Sequence, residues 1–137
     1  MQGDLELVER APTVEEYMAF RAHAGWDEVA DRPAIARALD GSLYSVCVES
    51  DGRAIAMGRV VGDGGVYAYI QDVIVEEEFR GRGISRMVMD ALLGFIERTY
   101  PRGAFVGLMA AEGVAGLYER YGFERRPDDA PGMRRTL

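Results

Sequence analysis

Six consecutive residues, Arg80-Gly81-Arg82-Gly83-Ile84-Ser85, have the types and spacing to hold a multiply charged anion. They follow the apolar run Val73-Ile74-Val75 and an acidic turn, Glu76-Glu77-Glu78, and they precede a strongly periodic segment. The order reads as strand, glycine-rich loop, helix start. A helix start presents N–H groups without intrahelical partners, at the positive end of the helix dipole. Gly81 and Gly83 permit positive φ and close backbone approach. Arg80 and Arg82 add charge-assisted donors suited to phosphate oxygens. The chemistry indicated is the seating of a phosphate-bearing cofactor.

Three elements must position that loop. The first is the strand before it, Val66 to Val75. Tyr67, Tyr69 and Gln71 share one parity, and Ala68, Ile70 and Asp72 share the other. A polar Asp72 on the apolar parity, followed by three apolar residues in a row, fits a phase shift such as a β-bulge. A strand end buried on both faces fits the same residues. The second element is the helix Ile84 to Tyr100, whose Val88, Leu92, Phe95 and Ile96 form one stripe, widened by Met89 and Leu93. The third is a meander of strands, Leu43 to Glu49, Arg53 to Val61 and Val66 to Val75, joined at Ser50-Asp51-Gly52 and Gly62-Asp63-Gly64-Gly65.

The flanks complete the order. Asp4 to Glu9 reads as a first strand. Thr13 with Glu16 reads as a capping box opening a helix that ends near Gly25-Trp26. A second short helix starts at Pro33 and ends at Asp40-Gly41. Beyond Pro101-Arg102-Gly103 come a strand, Ala104 to Met109, and a short helix, Gly113 to Arg120, closed by Gly122. Strand-like segments follow at Phe123 to Arg126 and Met133 to Leu137. The expected class is α/β, one domain over residues 1–137. Its mixed, mostly antiparallel sheet has six to seven strands and four helices on both faces, in the order β-α-α-β-β-β-α-β-α-β.

The totals exclude several functions. A formal charge of −7 over 137 residues argues against a nucleic-acid binder and favours steering of cationic partners, amines included. No apolar run approaches the ~20 residues of a membrane span. Asp4, Glu6 and Glu9 interrupt any signal-like start, so the expected compartment is cytoplasmic. One cysteine, Cys47, allows neither an internal disulfide nor a cysteine-based metal site, and no metal is expected. All sixteen basic residues are arginine, so no lysine side chain is available for acylation.

The loop Arg80-Gly81-Arg82-Gly83-Ile84-Ser85 resembles the acyl-CoA pyrophosphate loop of the GNAT superfamily of N-acetyltransferases. That loop reads Arg or Gln, two residues, Gly, one residue, then Gly or Ala. A second segment, Gly116-Leu117-Tyr118-Glu119-Arg120-Tyr121-Gly122-Phe123, resembles the family's Leu-Tyr-x-x-x-Gly-Phe. The separation of the two motifs and the element order fit over essentially the whole chain. Two departures stand out. Ser85 replaces Gly or Ala, and Ala111 stands where many members have Asn.

The resemblance implies acetyl-CoA as cofactor and a primary amine as acceptor, with direct transfer in a ternary complex. It implies that backbone groups of Val73, Ile74 and Val75 pair with the pantetheine arm, and that the N–H of Val73 polarises the thioester carbonyl. The N–H groups of Gly81 to Ser85, with Arg80 and Arg82, would hold the pyrophosphate. Tyr118 would protonate the departing thiolate as general acid; the alternative for its ring is packing. The base that neutralises the amine is Asp72, Glu112, His23 or water. Asp72 could instead stabilise the bulge. Trp26, Tyr44, Arg59, Tyr67 and Tyr69 are candidates to line the acceptor pocket, each also suited to sheet packing. Cys47 and Tyr121 read as packing residues, and Glu76 to Glu78 as a solvated turn. A small-molecule amine and a homodimer are expected. The rival readings are a non-catalytic acyl-CoA-binding regulatory module and an enzyme acting on protein or peptide amines.

Overall fold

Five strands lie side by side in chain order, β1-β2-β3-β4-β5, in a computed structural model that describes residues 4–26 and 31–137. They are β1 (Leu5–Val8), β2 (Tyr44–Ser50), β3 (Arg53–Gly62), β4 (Tyr67–Val75) and β5 (Phe105–Gly107). Three α-helices connect them, α1 (Val14–His23), α2 (Arg32–Asp40) and α3 (Ile84–Thr99), and a fourth, α4 (Ala115–Glu119), follows β5 in the chain. A 3₁₀ turn, Glu77–Phe79, sits between β4 and α3. The chain divides into two compact units, Met1–Val106 and Gly107–Leu137.

In the first unit β1 to β4 pair antiparallel throughout. The β2–β3 turn places Asp51 and Gly52 at positive φ (52° and 78°), the backbone a tight Asp-Gly hairpin demands. The β3–β4 turn is organised by Asp63. Its Oδ1 accepts the N–H groups of Gly65, Val66 and Tyr67 at 2.8–3.0 Å, and these bonds pull its carboxyl below the usual range. Tyr100 closes the same corner by donating to the Tyr67 carbonyl and accepting from the Gly64 N–H.

Helices cover both faces of the sheet. Tyr17 and Phe20 of α1 and Ile35 and Leu39 of α2 bury against Cys47, Met57 and Ile74. On the other face α3 packs on β2, β3 and β4 through the buried stripe Val88, Met89, Leu92 and Ile96. Helix α1 starts with the expected capping box. Thr13 accepts from Glu16 N–H while Glu16 accepts from Thr13 N–H. Arg10 ties that start to β2 through Glu16 and Glu49.

Helix α3 lies so close to β3 that one position must be glycine. A Cβ on Gly58 would stand 2.5 Å from Val88 Cγ1 and 2.9 Å from Leu92 Cδ1. Gly58→Ala should therefore destabilise the fold by about 1–3 kcal/mol, as overpacking does. Denaturant unfolding checks this, and an unchanged midpoint would contradict it.

The second unit contains α4, whose end is a Schellman motif. Gly122 takes φ 90°, Gly122 N–H bonds Glu119 O at 3.1 Å, and Phe123 N–H bonds Tyr118 O at 3.3 Å. The Phe123 ring meets the Tyr118 ring edge-on, centroids 6.4 Å apart. The Leu-Tyr-x-x-x-Gly-Phe segment is thus a helix stop that fixes one aromatic against another.

The expected six to seven strands are five among the described residues. Phe123 to Arg126 is not a strand, because the Phe123 N–H and ring serve the α4 stop and Pro127 follows three charged residues. Met133 to Leu137 is not a strand either. Met133 is 86% exposed and Leu137 fully so; neither side chain finds a surface to pack on. The expected element order therefore loses its last β.

Candidate active site

The loop after β4 has the geometry of an anion cradle. Gly81 and Gly83 both stand at positive φ, 80° and 76°. No heavy atom lies within 4 Å of where a Cβ would be on either one, so both face open space. Gly83 is the N-cap of α3 and brings no capping side chain. The first bond closing the helix is Met87 N–H to Gly83 O, 3.2 Å, so Ile84, Ser85 and Arg86 lie in the turn whose N–H groups have no intrahelical acceptor. A capping serine or aspartate would occupy those donors; glycine leaves them for a ligand. Buried Ile84 anchors this turn to the core.

Arg80 and Arg82 are exposed on either side of Gly81. Arg82 lies over the Phe79 ring at 5.2 Å. Arg80 Nε donates to Val75 O at 3.3 Å, which links the loop to the end of β4.

That strand end is bulged. Arg59 pairs with Gln71, but Met57 pairs with Ile74, so β4 carries one residue more than β3 across this step. The extra residue is accommodated by Asp72, which adopts φ 57°, uncommon for a non-glycine. Gln71 and Asp72 consequently turn to the same face, and Gln71 Nε2 donates to Asp72 Oδ1 at 3.2 Å. Of the two expectations for this strand, the phase shift at Asp72 is the one observed. Strand β5 adjoins β4 near its start, where Phe105 N–H bonds Val66 O at 2.8 Å. Three residues reach only about 10 Å, so β5 itself does not extend along β4 as far as Val73.

The Asp72 side chain is 1% exposed. Its Oδ2 accepts from Arg59 Nε at 2.7 Å and from Tyr17 O–H at 2.8 Å. Arg21 Nη1 stands 4.0 Å from Oδ1. Burial, and then the Asp72 charge, push the Tyr17 hydroxyl above its ordinary pKa, so it stays a donor. Arg59 also donates to Ala38 O and to Ser42 Oγ at the end of α2. Arg21 lies 5.8 Å from the Tyr17 ring and 5.5 Å from the Trp26 ring. The structure thus brings together Asp72 and Arg59, and reaches Trp26 through Arg21.

The other predicted residues lie apart from this cluster. Tyr44 is on the opposite face, stacked on Phe95 of α3 with centroids 4.6 Å apart. Its hydroxyl bonds Glu9 at 2.6 Å, and burial together with Glu9 pushes it up to about 12. Tyr67 is exposed at the start of β4 and leans on Phe105. Tyr69 is half-buried two residues before Gln71, and burial raises its hydroxyl. His23 is exposed and bonds Glu76 at 2.8 Å, joining the end of α1 to the end of β4. Cys47 is buried in the core, which pushes its thiol up to about 11.

In the second unit, Tyr118 is half-buried on α4, and burial raises its hydroxyl above the ordinary tyrosine value. Glu112 and Ala111 are exposed in the turn before α4. Among the described residues no cluster of His, Cys, Asp and Glu could hold a metal ion. No helix among them is long and apolar enough to cross a membrane.

Sequence reasoning missed Tyr17 and Arg21. They are four residues apart on α1, a spacing that puts both on one helix face. Val14, Tyr17, Met18 and Arg21 fall on one face of that helix, and nothing near them in the chain shows that Tyr17 meets Asp72. The signal was Arg21, a charge on that face that called for a buried partner.

The comparisons agree with this geometry. The family model of the acetyltransferase (GNAT) domain matches residues 42–125. Rice serotonin N-acetyltransferase 2, chloroplastic, is 36% identical over 104 residues, which cover 71% of this chain and 50% of that protein. GCN5-related N-acetyltransferase 1, chloroplastic, of Arabidopsis thaliana is 35% identical over 93 residues, covering 67% and 46%. The chain thus spans about half the length of the curated relatives it matches. Among solved structures, a Staphylococcus aureus protein of unknown function, described as a probable acetyltransferase, superposes with a TM-score of 0.91 at 29% identity. The match covers 98% of this chain and all of that one. A glycine-capped, ligand-ready helix start behind a bulged strand, together with the family match over residues 42–125, leads to one conclusion: the chain belongs to the GNAT superfamily of acetyltransferases.

Proposed function

We propose that this chain is an acetyl-CoA-dependent N-acetyltransferase that acetylates the primary amine of a small molecule by direct attack in a ternary complex. The observation that carries the reading is the start of α3: two positive-φ glycines, open space beside both, and no side-chain cap. That is a fit for a pyrophosphate and a poor arrangement for anything uncharged.

Acetyl-CoA supplies an activated acetyl thioester. The chain's own groups do the rest. The N–H groups at the start of α3 and the guanidinium groups of Arg80 and Arg82 hold the diphosphate. Arg80, whose Nε donates to Val75 O, would offer its remaining N–H groups to phosphate oxygens. The backbone N–H of Val73, at the bulge beside Asp72, would stabilise the charge that develops on the thioester oxygen. Tyr118 gives its proton to the departing thiolate. Burial keeps that hydroxyl protonated throughout the neutral range. A tyrosine above pKa ~10 is a weaker acid than a thiol at ~8.5, so its donation to sulfur would be completed by the proton that the attacking amine nitrogen loses, which returns through water to the Tyr118 oxygen. The acceptor approaches from the Trp26, Arg21 and Tyr17 side of β4.

The acceptor class is tested by incubating the protein with acetyl-CoA and two panels, small primary amines and short peptides, followed by mass spectrometry of the products. Acetylated small amines are expected. Acetylation confined to peptides would reverse the assignment. The loop is tested by Gly83→Ala. The left-handed backbone costs about 1–2 kcal/mol for a Cβ, and the new methyl points into the cradle. The KM for acetyl-CoA should rise about tenfold, the equivalent of 1.4 kcal/mol. An unchanged KM would remove the loop from the cofactor site.

A further inference from the structure

We propose that Asp72 is a positioning residue rather than the general base. In this role its buried carboxylate, clamped by Tyr17 and Arg59, holds the β4 bulge in the register that aims the Val73 backbone. The proposal rests on the reading above, in which that backbone meets the thioester.

Three observations carry it. The first is conformational. Asp72 and Val73 together stand opposite Gly58 in the bulge, and Asp72 is at φ 57°, a backbone state that a non-glycine keeps only when its surroundings over-determine it. The second is what surrounds it. Oδ2 already accepts from Arg59 at 2.7 Å and from Tyr17 at 2.8 Å, and Oδ1 accepts from Gln71 at 3.2 Å. The side chain is 1% exposed. A base must take a proton on a lone pair that points to the acceptor. Here a proton on Oδ2 would be set against an N–H and an O–H already in place. The third is reach. Tyr17 belongs to α1, and Arg59 belongs to β3 and is tied to the end of α2 through Ala38 O and Ser42 Oγ. One carboxylate therefore fixes two helices and two strands at the bulge. On the opposite face, bare Gly58 lets Val88 and Leu92 of α3 close on the same step of the ladder, with Val73 Cγ2 at 3.6 Å from the Gly58 Cβ position. The bulge is held from both sides, by charge on one and by close packing on the other.

The clamp predicts a pattern that a base would not give. Asp72→Asn removes the charge and leaves the Arg59 guanidinium buried. It should lower kcat by about 10²-fold, the loss expected of a misplaced reacting group, with little change in the KM for acetyl-CoA and no change in the shape of the pH–rate profile. The double variant Asp72→Gly with Arg59→Met is the rescue. Glycine takes positive φ without strain, and the Arg59 guanidinium that donated to Oδ2 is removed with the carboxylate. Its kcat should return to within about tenfold of the parent. Amide exchange at Val73 and Ile74, followed by NMR, should speed up in Asp72→Asn and slow again in the double variant.

A double variant as inactive as Asp72→Asn, with the acidic limb of its pH profile lost, would make Asp72 the base and overturn the proposal. If the parent protein turns over no amine at all, it is the acetyltransferase reading that fails. Exchange at Val73 and Ile74 then still decides whether Asp72 holds the bulge, and protection unchanged in Asp72→Asn would sink that claim independently.

Discussion

Tyr118→Phe should lower kcat by about 10²- to 10³-fold, within the range that a positioned general acid contributes, while the KM for acetyl-CoA stays near that of the parent. The ring is kept, so its edge contact with Phe123 and the Schellman stop of α4 survive. Stability should therefore hold, and thermal unfolding run beside the kinetics separates lost chemistry from lost structure. Burial has raised the Tyr118 hydroxyl, so it is protonated at neutral pH and ionises only above the ordinary tyrosine range. Any alkaline fall in kcat that belongs to Tyr118 should lie above pH ~10 and disappear in the phenylalanine variant. Equal loss of kcat and of folded protein would assign the ring to packing instead.

Asp72→Ala should cost about 3–5 kcal/mol of stability, because it strands a buried guanidinium. The Arg59 side chain is 11% exposed and would keep Ala38 O and Ser42 Oγ as hydrogen-bond acceptors and the Tyr17 ring beside it, with no charge to match its own. Alanine also inherits a positive φ that it tolerates poorly. Removing both charges together, Asp72→Ala with Arg59→Met, should recover most of the loss, since a buried ion pair replaced by apolar side chains is often close to neutral. Denaturant unfolding of the two single variants and the double gives the coupling directly. A coupling under ~0.5 kcal/mol would mean that the pair does not act as a unit.

Much of this fold is legible before any coordinates, and the reasons are local. The capping box at Thr13 and Glu16, the Asp51-Gly52 hairpin, the stripe of α3 and the Gly122 stop are each set by residues within a few positions of one another. The bulge is legible for a similar reason: a polar residue on an apolar parity is unexpected unless the phase changes there, and at Asp72 it does. What fails is non-local. A final strand needs a partner edge, and nothing within Phe123 to Arg126 shows that the Phe123 N–H goes back to Tyr118. The need for glycine at position 58 is likewise invisible until α3 is laid against β3.

The candidate site divides along the same line. The loop's conformation is read from its own composition, because its two glycines are near neighbours in the chain and both stand at positive φ. The Asp72 cluster is assembled from α1, α2, β3 and β4, across sequence separations of 13 and 55 residues. Arg59 and Asp72 stand in it together, whereas Tyr44, expected with them, stacks on Phe95 across the sheet. Tyr17 completes the cluster from 55 residues away, a separation that no local pattern bridges.

The most direct test of the central claim is release of free CoA thiol from acetyl-CoA by the parent protein, measured with and without each member of a primary-amine panel. Acetyl transfer predicts thiol release that depends on the amine and matches acetylated product one for one. Tight binding of acetyl-CoA with no amine-dependent release from any member of the panel would contradict it, and would leave a protein that holds the cofactor without using it.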